Sequence, residues 1–327
     1  MEQATAPEGA PEQKKFLPEA GIAYSLSSVL SMVLALLVSA VFSIVLQGNY
    51  AGNIVYKYFA FLVPQLCLMA VALIYFRRSR YPVRRVYAPC KWYYFLLALA
   101  VAFGLLFALN SLNGLFVRLL KLMGYIPQEE RQGYVPPITD AMLSGWMILP
   151  SVLIIAALPA VFEETLFRGI TVGAMRSSGW GEVSAALVSG AMFSLFHQNP
   201  EQTVYQFVCG ACYALLAVRS GSIFPSMLAH FSNNAFILIL GAVKGIKWKF
   251  SQTASVVLGV TGGVLLAGAV LFLIFWRRPA PAADGAPARG DGQAAGKARL
   301  PGGKGYFLMA GLGMAACAAM WVTTLVM

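Results

Sequence analysis

Long uncharged runs, separated by short polar stretches, follow one another along the whole chain. A run of about 20 apolar residues is long enough to cross a bilayer as a helix. Nine such runs predict helices, at about 22–47, 54–76, 93–117, 145–162 with a helical continuation to about 175, 183–197, 203–218, 222–243, 254–276 and 306–327. The fifth and sixth are short for a span and need tilt or cover from neighbours. The expected fold is an all-α polytopic membrane protein, with a core bundle of about eight helices plus an extra C-terminal transmembrane helix. Five regions follow: a disordered polar leader (1–20), N-terminal membrane helices with an interfacial segment (21–145), a denser core (146–276), a flexible basic linker (277–304) and the last helix (305–327). Residues 118–142 mix apolar residues with charges and prolines, which predicts a short interfacial helix followed by an irregular loop. The last helix reads as an appendage. "GVTGG" at Gly259–Gly263 offers a small-residue packing face.

Composition strengthens this picture. The chain has 327 residues, 59% hydrophobic and only 11% charged, against roughly 25% charged in a soluble domain. The net charge of +11 raises the question of nucleic acid, but the distribution of the charges answers it differently. With the leader inside, 17 of the 24 Lys and Arg fall on cytoplasmic segments, six of them in "RRSRYPVRRVYAPCK". This positive-inside bias predicts an integral membrane protein with a cytoplasmic N-terminus, and the expected surroundings are a lipid bilayer and no nucleic acid. "KGIKWKF" runs against the bias. The five cysteines lie mostly in predicted helices and define no disulfide framework. "CGAC" has redox spacing, but inside a membrane helix Cys209 and Cys212 read as small packing residues.

Of the 13 acidic residues, only Glu163 and Glu164 lie deep in apolar surroundings, directly after the uncharged "MILPSVLIIAALPAVF". A charged side chain at the centre of a span costs roughly 2.5–3.5 kcal/mol. Such a residue faces a cavity or a partner and is a functional candidate by default. Glu164 and Arg168 are four apart in the favourable order for a helical ion pair. Glu163 points about 100° away on the helix and is free for another part. The chain's two histidines sit in the same block. His197 ends "FSLFHQNP", four residues after Phe193, and His230 opens "HFSNN", one helical turn before Asn234.

Glu163, His197, His230 and Asn234 together supply the parts of a hydrolytic site. A carboxylate in low dielectric can act as a general base toward water. One imidazole can orient that water, and an imidazole N–H with an amide N–H one turn away can donate to a developing oxyanion. The same side chains leave a second chemistry open, because Glu163, His197 and His230 match a catalytic zinc set. The compact H-E-x-x-H arrangement of common zinc peptidases is absent from the sequence.

"EETLFR", "FSLFH" and "HFSNN", in this order, resemble the E-E-x-x-x-R, F-x-x-x-H and H-x-x-x-N motifs of the CAAX-processing and bacteriocin-processing intramembrane proteases, the type II CAAX prenyl endopeptidase or Abi family. The resemblance covers 146–243 in motif and 22–276 in architecture. It implies that Glu163 activates water, that His197 holds it, and that His230 and Asn234 stabilise the oxyanion, with Glu164, Arg168 and Phe193 in support. It further implies a metal-independent glutamate mechanism requiring no cofactor, with zinc as the alternative. The expected function is cleavage of a peptide, or of a lipid-modified peptide, in a bacterial plasma membrane. Two competing readings are a non-proteolytic adaptor or bacteriocin-immunity protein on the same fold, and a proton-coupled transporter. The transporter lacks support in any inverted repeat.

Overall fold

The computed structural model describes residues 16–245, 249–276 and 302–326. The first fifteen residues of the expected leader and most of the basic linker lie outside the described residues. Among the described residues the regular elements are all helical, and nine are long: α1 (Phe16–Val45), α2 (Ile54–Ser79), α3 (Tyr93–Leu122), α4 (Gly145–Ser177), α5 (Glu182–Phe196), α6 (Thr203–Ser220), α7 (Phe224–Lys244), α8 (Gln252–Phe275) and α9 (Gly303–Val326). Seven of the nine are long and apolar enough to cross a membrane; α5 and α6 are not among those seven. The chain is an all-α polytopic membrane protein. Leu36, Ile44, Val260, Val264 and Leu312 point outward, as lipid-facing side chains do.

Three expectations are corrected. The leader does not run to residue 20, because α1 begins at Phe16 and already buries Leu17 and Ala20. Pro18 sits in its first turn, where the missing N–H costs nothing. No separate interfacial helix follows residue 117. The third helix runs on to Leu122 with Arg118 and Lys121 exposed, and the chain turns only at Gly124, whose φ of +91° suits glycine. The irregular stretch beyond it contains a single 3₁₀ turn, Gln128–Glu130, and a helical turn, Asp140–Leu143.

The last helix is no appendage. α9 lies along α1, burying Tyr306, Ala310, Gly313 and Cys317. Ser25 Oγ donates to the Met309 carbonyl at 2.7 Å and accepts from the Gly313 N–H at 3.1 Å. Farther along, Trp321 Nε1 donates to Thr203 Oγ1 at 2.8 Å, and Arg131 donates to the Thr324 carbonyl at 2.9 Å. α9 therefore braces the α5–α6 connection, which carries His197.

The core elements cross where small residues allow it. A Cβ on Gly210 of α6 would lie 2.7 Å from the Gly190 Cα of α5, and a Cβ on Gly190 would lie 2.6 Å from the Phe207 carbonyl oxygen. Gly262 packs in the same manner on Gly104 of α3, so the tight contact in "GVTGG" falls on its fourth residue. Cys209 and Cys212 are buried thiols in this packing. At one end of the bundle a helical turn, Val83–Val86, is tied to α7 by the Ile223 N–H, which donates to the Val86 carbonyl.

Candidate active site

The site is built from α4, whose course is irregular. Two π-helical segments, Val152–Ala157 and Thr165–Val172, flank the α-helical turns that hold Glu163 and Glu164. Such π segments recur at functional sites, where they rotate the following residues off the α register. Pro159 adds a second local effect. It has no N–H to return to the Ile155 carbonyl four residues earlier. That carbonyl instead accepts Asn234 Nδ2 from α7 at 3.2 Å.

The structure brings Glu163, His197, His230 and Asn234 to one cavity of about 970 Å³ lined by residues of α2 to α8. Phe193 forms part of its wall. Glu164 and Arg168 stand behind it, with both side chains fully buried. Arg168 Nη1 donates to Glu164 Oε1 at 3.0 Å, and Nη2 donates to the Gly210 carbonyl at 3.0 Å. The guanidinium also lies over the rings of Phe193, Tyr213 and Phe167, with Phe193 nearest at 4.5 Å. Charge pairing and aromatic faces together compensate a cation held out of water.

The hydrogen bonds fix the proton positions on both histidines. His230 Nδ1 is 2.9 Å from Glu164 Oε1, and the carboxylate can only accept, so Nδ1 carries the proton. His197 Nδ1 is 2.8 Å from the Phe193 carbonyl, with the same consequence. In the neutral rings both Nε2 atoms are therefore acceptors. The N–H at Nδ1 of His230 is taken up by Glu164. Nε2 of His230 becomes a donor only when the ring holds both protons, and it then lies between Glu164 and Glu163, whose Oε2 is 3.9 Å away. His230 is also stacked on Tyr213, with ring centroids 5.4 Å apart. Asn234 uses one N–H on Ile155 and keeps a second. Its Oδ1 accepts from Asn233, and Asn233 in turn accepts from Tyr205 at 2.7 Å.

Glu163 has a partner that the motifs do not contain. Gln65 of α2 is buried, lines the cavity and donates through Nε2 to Glu163 Oε1 at 2.8 Å. An uncharged amide directly after Pro64, in a run that is charge-free from Tyr58 to Phe76, is the only sequence signal for it. At the other end of the cavity Glu201 accepts from the Tyr125 hydroxyl at 2.9 Å and from the Gln128 N–H at 2.7 Å. Burial, and then this bond to Glu201, push the Tyr125 phenol up to about 12, so it remains a donor at neutral pH.

A zinc ion would need three donor side chains converging on one point. Among the described residues no group of three or more His, Cys, Asp or Glu side chains converges as a metal site. Glu163, His197 and His230 share the cavity, but as they stand they do not fit a zinc ion.

Acids, histidines and an asparagine thus gather on an internal cavity of an all-α membrane bundle. Residues 145–236 match the model of the Rce1-like family, described as type II CAAX prenyl endopeptidase Rce1-like. The chain is similar to this protease family over that segment, which carries all three motifs and every candidate residue except Gln65. No curated protein and no solved structure matches the chain.

Proposed function

We propose that the chain is an intramembrane endopeptidase that hydrolyses a peptide bond of a membrane-associated or lipid-modified peptide without a metal ion. One observation carries this reading: Glu163, His197, His230 and Asn234 meet on a cavity inside the membrane bundle, and the Glu164–Arg168 pair holds His230 from behind. A water molecule donates one hydrogen to Glu163 and the other to His197 Nε2. Glu163 removes its proton as the water oxygen attacks the carbonyl carbon. The second N–H of Asn234, and an N–H at His230 Nε2 wherever that nitrogen carries a hydrogen, donate to the oxyanion. Collapse breaks the C–N bond, and Glu163 passes the proton to the leaving amine. Gln65 holds the Glu163 carboxylate in place throughout. The chain sits in a bacterial plasma membrane, and its N-terminus lies in the cytoplasm, an orientation that its charge distribution supports.

The test is comparative proteomics of membranes carrying wild type or Glu163→Gln. Uncleaved precursors accumulate in the variant on this reading. Identical peptide profiles, with the variant present at the wild-type level, contradict it.

A further inference from the structure

The cavity is closed at one end of the bundle and open at the other. Gln65, Glu163, Tyr213 and His230 at its floor are buried, whereas Ser111, Gln202, Lys249 and Ser255 on its lining are exposed. The exposed four stand at the end away from the basic loop of residues 77–91. Three helices establish this. α6 leaves Gln202 and, after 18 residues, ends beside Ile223 and Val86 at the basic loop, a rise of about 27 Å. α3 starts next to Lys91 at Tyr93 and reaches Ser111 only after five turns. α8 starts beside Lys249 and ends with Phe272 against Tyr93 and the Ile274 carbonyl on Arg219.

The basic loop carries Arg77, Arg78, Arg80, Arg84, Arg85 and Lys91, all exposed, and no acid. Such a short, purely cationic loop stays on the cytoplasmic face. We infer that the catalytic cavity opens to the extracytoplasmic side. Its substrate is then a peptide segment presented there, from an exported or membrane-anchored precursor. A tail lipid-modified in the cytoplasm meets the closed end. This inference rests on the proposed protease reading, and it specifies the compartment of the substrate.

Two measurements on the full-length protein decide it. In the first, Ser255→Cys and Arg84→Cys are made separately and treated with a membrane-impermeant maleimide on intact cells. Ser255→Cys is labelled, and Arg84→Cys is labelled only after permeabilisation. The opposite pattern overturns the inference, whether or not any peptide is cleaved. In the second, quenched fluorogenic peptides with charged, impermeant dyes are added to right-side-out and to inverted vesicles, with Glu163→Gln as the control. Glu163-dependent cleavage occurs in right-side-out vesicles and is lost in inverted ones. Cleavage only in inverted vesicles overturns the sidedness and leaves the protease reading intact. Cleavage that Glu163→Gln does not reduce in either preparation defeats the protease reading itself.

Discussion

Gln65 Nε2 donates to Glu163 Oε1 at 2.8 Å, and the two residues are 98 positions apart in the chain. The bond leaves Glu163 Oε2 as the oxygen that faces His230. A buried amide that satisfies only its donor side is a poor choice for stability alone, because its Oε1 has no partner among the described residues. On the proposed mechanism, holding the reacting carboxylate in one rotamer gives it a function. Gln65→Met keeps the volume and removes the bond. It is expected to lower kcat by up to about 10²-fold with KM little changed, the effect of a misplaced catalytic group. In a Glu163→Gln background the same change adds little further loss, since the two residues act as a unit. Additive losses would make Gln65 a packing residue.

Glu164 and Arg168 form a buried ion pair that also carries His230. Removing one member leaves an unpaired charge in low dielectric, at a cost of roughly 3–5 kcal/mol. Arg168→Ala therefore lowers folded yield and thermal stability in detergent together with activity. Arg168→Lys, which cannot reach both Glu164 and the Gly210 carbonyl with a planar fork, falls between the two. Wild-type melting of Arg168→Ala would remove Arg168 from its proposed place.

The crossing of α5 and α6 is set by Gly190 and Gly210, and no flexible side chain is available there to move aside. Gly210→Ala forces the helices apart. The expected loss is about 1–3 kcal/mol, as for other overpacked contacts, with His197 displaced at the end of α5. Thermal unfolding in detergent measures the first effect and peptide turnover the second.

Much of this was legible because hydrophobic run length is a direct readout of membrane helices, and all nine long helices fall on apolar runs. Glu163, Glu164, Arg168 and the two histidines stood out because ionisable groups are conspicuous in such runs. Gln65 did not, since an uncharged amide in a span reads equally as a helix–helix contact. The π segments beside Glu163 leave no mark in composition. The packing of α9 was hidden for another reason: beyond Lys304 the helix is uncharged on every side, with small and large residues mixed, so no face declares itself. The proton on His230 Nδ1 depends on Glu164 from another helix, which spacing within "HFSNN" cannot reveal.

The proposed hydrolysis turns on activation of water by Glu163 without a metal. The direct measurement is the turnover of a peptide substrate by purified, chelator-treated wild type and by Glu163→Gln, with metal content determined on the same samples. Metal-stripped wild type is expected to retain its turnover. Glu163→Gln, still folded, falls by roughly 10²–10⁴-fold with substrate affinity little changed, as expected for a lost general base. Stoichiometric zinc in the purified protein, with activity lost on its removal and restored on its return, would contradict the account.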